Sequence, residues 1–156
     1  MKIRPHIYTD TSVIGGCLDA EFSKWSNELM ETFRLGQAVI VLSDLTLLEL
    51  AGAPDTVRAV LDRIPHENRQ DVELTPEAIE LANSYIAAEV VAPSKLADAQ
   101  HIAIASVNRV DLVVSWNFTH IVNLARIHGF NAVNLRQGYP VLEIRTPQEV
   151  VPHEED

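Results

Sequence analysis

Ala38-Val39-Ile40-Val41-Leu42 is apolar at every position and β-branched at its centre. A strand with one wet face alternates apolar and polar side chains. A short run without alternation is covered on both faces, as in a parallel sheet held between layers of helices. Immediately after it, Ser43 or Asp44 starts a helix carrying Leu47, Leu48, Glu49 and Leu50, which Gly52-Ala53-Pro54 ends. Before it, the spacing of Phe22, Trp25, Leu29 and Phe33 predicts a helix over Ala20–Leu35 with Gly36 as its stop. Ahead of that helix, Ile3–Thr9 reads as a first strand ending at Asp10-Thr11-Ser12. Strand, helix, strand, helix is the rhythm of an α/β fold.

The rhythm continues downstream. A short helix is expected over Thr56–Ile64, a brief strand at Val72-Glu73-Leu74, and a helix from Pro76 to about Val90, with proline in the first turn where its missing N–H costs nothing. Pro93-Ser94 punctuates, and Lys95–Val107 is a helix whose small residues permit close approach to a sheet. Asp111–Ser115 reads as another buried strand and Phe118–His128 as a helix with Gly129 at its C-cap. Ala132–Leu135 reads as the last central strand and Val141–Ile144 as a peripheral one. The expectation is one α/β domain over residues 1–150, a three-layer sandwich with a central, mainly parallel sheet flanked by helices. Residues 151–156 would form an acidic tail ending in His153-Glu154-Glu155-Asp156.

Composition limits the function classes. At 156 residues and 47% apolar content, the chain suffices for one core. No apolar run approaches the roughly 20 residues of a membrane span, and MKIRPHIYTDTS lacks the apolar centre of a secretory signal. The single Cys17 cannot staple a fold and is expected to pack as a small hydrophobe, so the cytoplasm is the expected compartment. A formal net charge of −10 argues against a broad basic surface tracking a phosphate backbone. It leaves room for a nucleic-acid substrate if a divalent ion reverses the field locally.

Three acidic residues stand at three separate junctions with no basic neighbour in sequence: Asp10 in IYTDTS, Glu49 in LTLLEL and Asp98 in LADAQHIAIA. Asp10 and Asn117 each follow a strand, and in open parallel sheets ligands bind beyond the carboxyl ends of the strands. Each also has a plainer use. Asp10 is placed to cap a helix, Glu49 could turn to solvent, and Asp98 sits in a first helical turn where the helix dipole favours a carboxylate. Glu49 interrupts an apolar run, where burying it unpaired would be costly. His101 reads as a packed or hydrogen-bonded neighbour, His120 as a surface side chain, Asp44 and Asp111 as capping or edge residues, and Trp116 as a packing residue. Thr11 and Ser12 could bond Asp10, cap the helix or touch a phosphate, with capping favoured.

Asp10-Thr11-Ser12 after an apolar strand, Glu49 in a leucine-rich helix, Asp98-Ala-Gln-His101-Ile-Ala-Ile-Ala and Val-Val-Ser115-Trp-Asn117-Phe occur in the order found in the PIN-domain ribonucleases. The chain resembles that family over nearly its whole length, and in particular the VapC-like toxins of type II toxin–antitoxin pairs. The resemblance implies a metal-dependent endoribonuclease, with Asp10 and Asp98 as metal ligands and Glu49 either ligating or orienting the attacking water. Asn117 would be an outer ligand or water holder, and Thr11, Ser12 and Ser115 supporting hydroxyls. Hard oxygen ligands suit Mg²⁺ or Mn²⁺. An RNA substrate, a cognate antitoxin and a homodimer are the implied partners. Many relatives carry a fourth Asp where this chain has Asn117, whose amide adds no charge. The principal alternative is therefore a PIN-like module without catalysis that serves protein binding or dimerisation. A phosphate-handling enzyme or receiver-like regulator fits less well, because DTS lacks the second Asp of a DxD pair.

Overall fold

The computed structural model describes residues 4–151. Strands β1 (His6–Thr9), β2 (Val39–Ser43), β3 (Arg69–Val72), β4 (Leu112–Val114) and β5 (Ile144–Arg145) form one sheet in the order β3-β2-β1-β4-β5, every pairing parallel. Helices α1 (Thr11–Gly16), α2 (Ser23–Arg34), α3 (Asp44–Ala51), α4 (Asp55–Asp62), α5 (Pro76–Ala87), α6 (Leu96–Val107), α7 (Leu124–Gln137) and α8 (Pro147–Val150) connect or follow them. The alternation of side chains along a strand sends neighbours to opposite layers. Ile7, Ile40, Leu42 and Val114 pack with residues of α1, α2 and α4. Tyr8, Val41, Val113 and Ile144 pack with residues of α5, α6 and α7. The three central strands are thus apolar on both sides, and the expected three-layer α/β sandwich is the fold. Among the described residues, no helix is long and apolar enough to cross a membrane.

The chain builds outward from β1 to β2 and β3, then crosses back to place β4 on the other side of β1. The carboxyl ends of β1 and β4 therefore flank the topological switch point, where open α/β sheets leave a crevice. Asp10 leaves β1 there, its N–H bonded to the Val114 carbonyl, and Ser115 to Asn117 leave β4.

Four expectations are corrected. The third strand lies at Arg69–Val72, not Val72–Leu74. It is a sheet edge of largely polar residues, and its pairing with β2 rather than an apolar pattern defines it. Phe118–His128 is not one helix: the Asn117 carbonyl accepts from the N–H groups of Ile121 and Val122 in a turn, and α7 begins at Leu124 with the Asn123 side chain as its cap. Gly129 lies inside α7 rather than ending it. A Cβ there would stand 2.8 Å from Val90 Cγ1, so glycine permits close helix approach. The stop is Gly138, with φ 87° in the left-handed region. Ala132–Leu135 is accordingly helix, with Phe130, Val133 and Asn134 buried while Leu135 is exposed. The last strand of the sheet is β5, within the segment expected to be peripheral. Ile3 and His153–Asp156 lie outside the described residues; Val151 is buried beside α2 residues.

Candidate functional site

Asp10 follows β1 and caps α1: its Oδ1 accepts from the Val13 N–H at 3.2 Å and from the Ser12 hydroxyl at 2.6 Å. Its Oδ2 accepts from the Ser115 hydroxyl at 2.6 Å. Ser12 Oγ in turn accepts from the Trp116 N–H at 2.9 Å, and Ser115 Oγ from the Asn117 N–H at 2.9 Å. These bonds knit the β1 and β4 exits together. The carboxyl is only 5% exposed. Burial raises its pKa above the ordinary range, against the nearby His101 and the three hydrogen bonds, which favour the ionised form.

Glu49 reaches the same edge from α3. Its Oε1 accepts from the Thr11 hydroxyl at 3.2 Å and from His101 Nε2 at 2.5 Å. The bond from His101 holds its pKa below the ordinary carboxylate value, with a smaller contribution from Thr11. Because a carboxylate only accepts, Nε2 carries the proton; in the neutral imidazole Nδ1 then accepts from the Tyr8 hydroxyl at 2.5 Å. Tyr8 also meets Ser43 Oγ at 2.8 Å, and Ser43 Oγ caps α3 by accepting from the Thr46 N–H at 3.0 Å. Burial raises the Tyr8 pKa, so the phenol stays protonated and able to donate.

Asp98 lies in the first turn of α6, one turn before His101. His120 Nδ1 stands 3.6 Å from its Oδ2. Asn117 Oδ1 accepts from the His120 N–H at 3.0 Å. Two hydrogen-bonded groups result: Asp10, Ser115 and Asn117 with the His120 N–H, and Thr11, Glu49, His101 and Tyr8. Asp98 stands 3.6 Å from the His120 ring and shares α6 with His101.

The favoured capping role of Thr11 and Ser12 is not the one they play, though the bond of Ser12 to Asp10 is among the uses open to it. Asp10 is the cap of α1, Ser12 bonds Asp10 and Thr11 bonds Glu49. Trp116 is a packing residue, buried, stacked on Phe22 at 4.5 Å and donating from Nε1 to Ser26 Oγ. Cys17 is buried and unpaired. Asp111, at the amino end of β4, accepts from the His6 N–H. Ser43 caps α3, one of the two starts the sequence offered; Tyr8 escaped the reading of the sequence, though a phenol within Ile-Tyr-Thr requires a polar partner. Nothing in local spacing pointed to the contact of His120 with Asp98.

The oxygen donors present suit a hard divalent ion. Glu49 receives its two bonds from the described residues on one oxygen, and Asp98 stands beside His120 at 3.6 Å. Among the described residues, no group of three or more His, Cys, Asp and Glu side chains is already arranged to hold a metal ion. The donor chemistry fits such an ion, and the Asp98 side chain is part-exposed.

No protein-family description and no curated protein sequence matches the chain. Among solved structures, the chain is similar to Mycobacterium tuberculosis VapC20, a toxin that cleaves the sarcin–ricin loop. The TM-score is 0.54 at 15% identity, over 73% of this chain and 92% of that one. It is also similar to VapBC2 from Rickettsia felis, solved bound to a DNA fragment from their promoter. There the TM-score is 0.56 at 11% identity, over 90% of this chain and 98% of that one. At such identities the likeness is one of fold.

Proposed function

We propose that this chain is a PIN-domain endoribonuclease of the VapC type, dependent on a divalent metal and acting as the toxin of a toxin–antitoxin pair. The observation that carries the reading is the hydrogen bonding of Asp10 to Ser115 and, through it, to Asn117 at the switch point of a parallel sheet, with Glu49 held by Thr11 and His101 and Asp98 beside His120. The fold shared with VapC20 supports it.

Asp10 and Asp98 would hold the ion, Mg²⁺ or Mn²⁺, with Glu49 ligating or orienting a water and Asn117 holding an outer water. When bound, the ion supplies positive charge against the phosphate and lowers the pKa of a water. The residues supply the rest. Ser12, Ser115 and the Val13 N–H keep Asp10 in one orientation and favour its ionised form. Thr11 and His101 do the same for Glu49. The amino terminus of α6 places Asp98 where its negative charge is favoured. On a chain of net charge −10, an ion among these carboxylates is also what would let a polyanion approach. The VapBC2 likeness supports an antitoxin partner; a homodimer and a cytoplasmic setting complete the proposal.

The test is incubation of purified protein with structured RNAs, a sarcin–ricin loop fragment among them, with Mn²⁺ or with chelator. Cleavage that requires Mn²⁺ and disappears in Asp98→Asn is the expected result; no cleavage of any RNA overturns the enzymatic reading. A second reading, a PIN-like binding module without catalysis, is favoured by one observation: the Asn117 amide oxygen already accepts from the His120 N–H. Mn²⁺-independent antitoxin binding without RNA cleavage would establish it.

A further inference from the structure

We infer that His101 is a positioning residue: anchored by Tyr8, it fixes the Glu49 carboxylate so that one oxygen stays available to a divalent ion. The inference rests on the metal-dependent reading above.

Glu49 sits on the partly exposed face of α3, with its side chain 38% exposed, where a long flexible acid ordinarily samples several rotamers. Here both of its hydrogen bonds among the described residues, from Thr11 and from His101, fall on Oε1, and Oε2 has none from them. The donor is itself immobile. His101 is 4% exposed, and its other nitrogen is held by Tyr8, which projects from the central strand β1 and is held by Ser43 at the start of α3. Its ring meets that of Tyr8 edge-on at 5.7 Å.

A purely structural role explains this poorly. The neighbours of His101 on α6, including Ala99, Ile102 and Ala103, are buried and apolar, and an apolar residue would fill the position without the cost of burying two ring nitrogens. The imidazole instead spends one nitrogen on the scaffold and the other on a carboxylate of the candidate site. It lies one turn from Asp98, so a single helix presents one acid directly and steadies another through its imidazole. Groups that orient a ligating side chain typically change metal affinity by about 10- to 100-fold when removed.

The experiment is calorimetric titration of the metal-free protein with Mn²⁺, comparing wild type, His101→Ala, His101→Gln and the double variant His101→Ala/Glu49→Gln with Glu49→Gln alone. The inference expects His101→Ala to weaken Mn²⁺ binding at least tenfold and His101→Gln, whose amide can still donate to Glu49, to recover most of it. In the Glu49→Gln background the alanine change should have no further effect. Should His101→Ala fail to fold, Tyr8→Phe replaces it and is expected to weaken binding several-fold. Unchanged affinity in the alanine variant, no recovery with glutamine, or an undiminished effect without Glu49 overturns the inference while leaving the metal reading intact. Absence of Mn²⁺ binding in wild type overturns both.

Discussion

Asp10 and Asp98 hold comparable positions, each where the chain turns into a helix at the carboxyl edge of the sheet, yet their surroundings share little. Asp10 is buried, caps a helix, and has both oxygens engaged by donors from two strand exits. Asp98 is about a fifth exposed and meets one histidine at 3.6 Å, longer than a hydrogen bond. One side of the site is preorganised, its geometry set by the sheet; the other is open and free to move.

The largest expected effect is on catalysis. Loss of one ligating carboxylate removes several kcal/mol of charge stabilisation, so Asp10→Asn and Asp98→Asn should each slow RNA cleavage by about a thousandfold. Their folding should differ. Asp98→Asn removes a part-exposed carboxylate that makes a long contact to His120 and should leave the metal-free protein about as stable as wild type. Retained cleavage in Asp98→Asn would remove the functional side of the comparison.

Metal binding sharpens it next. An ion that binds only the folded state at a hundred times its dissociation constant contributes about 2.7 kcal/mol, which for a domain of this size is a rise of about 5–10 °C in melting temperature. Thermal denaturation with Mn²⁺ and with chelator measures this directly. Equal melting temperatures would count against an ion between the two acids.

How much of this was readable in the chain follows the same division between order set by the sheet and order set by distant contacts. β2 and β4 are covered on both faces and marked by apolar runs, β1 by buried Ile7 and Tyr8 at its centre, and Asp10 and Asn117 could be placed at strand exits from the chain alone. The edge strands β3 and β5 pair on one side only and carry no such run; Arg69–Val72 is recognisable as a strand only beside β2. Gly129 looks like a helix stop by composition, but its role is set by Val90, thirty-nine positions away, and the helical spacing of Phe130, Val133 and Asn134 was the better signal. Asp98 and Glu49 could be named from the residues around them. His101 could be read as a packed or hydrogen-bonded residue, but its partners Tyr8 and Glu49 could not be named, because they lie 93 and 52 positions away.

Stability separates the two carboxylates on a smaller scale. Ser115→Ala deletes a hydroxyl that donates to the buried Asp10 carboxylate and accepts from the Asn117 N–H. Hydrogen bonds to charged groups are worth about 1.5–3 kcal/mol, and a loss of that order is expected in denaturant titration. His120→Ala, removing the long contact to the part-exposed Asp98, should cost under about 0.5 kcal/mol. Equal losses would mean that the preorganised and open sides had been misjudged.

The smallest effect is in pH dependence, where Asp10 and Glu49 pull in opposite directions. Burial raises the folded-state pKa of Asp10 above its unfolded value. The folded protein therefore takes up this proton first, and stability rises as pH falls through the window above the ordinary carboxylate pKa. His101 lowers the folded-state pKa of Glu49. Its contribution is complete above the unfolded value and is lost as pH falls below it. Metal-free wild type, compared with Asp10→Asn across mildly acidic pH, should gain relative stability on acidification, whereas compared with Glu49→Gln it should lose it at lower pH. Saturating Mn²⁺ should suppress the first gain, because an ion on Asp10 stabilises the ionised form that burial disfavours. If the Asp10 difference has the opposite sign, the carboxylate is better solvated than its three hydrogen bonds and 5% exposure imply, and the rigid side of the site is not as dry as this comparison requires.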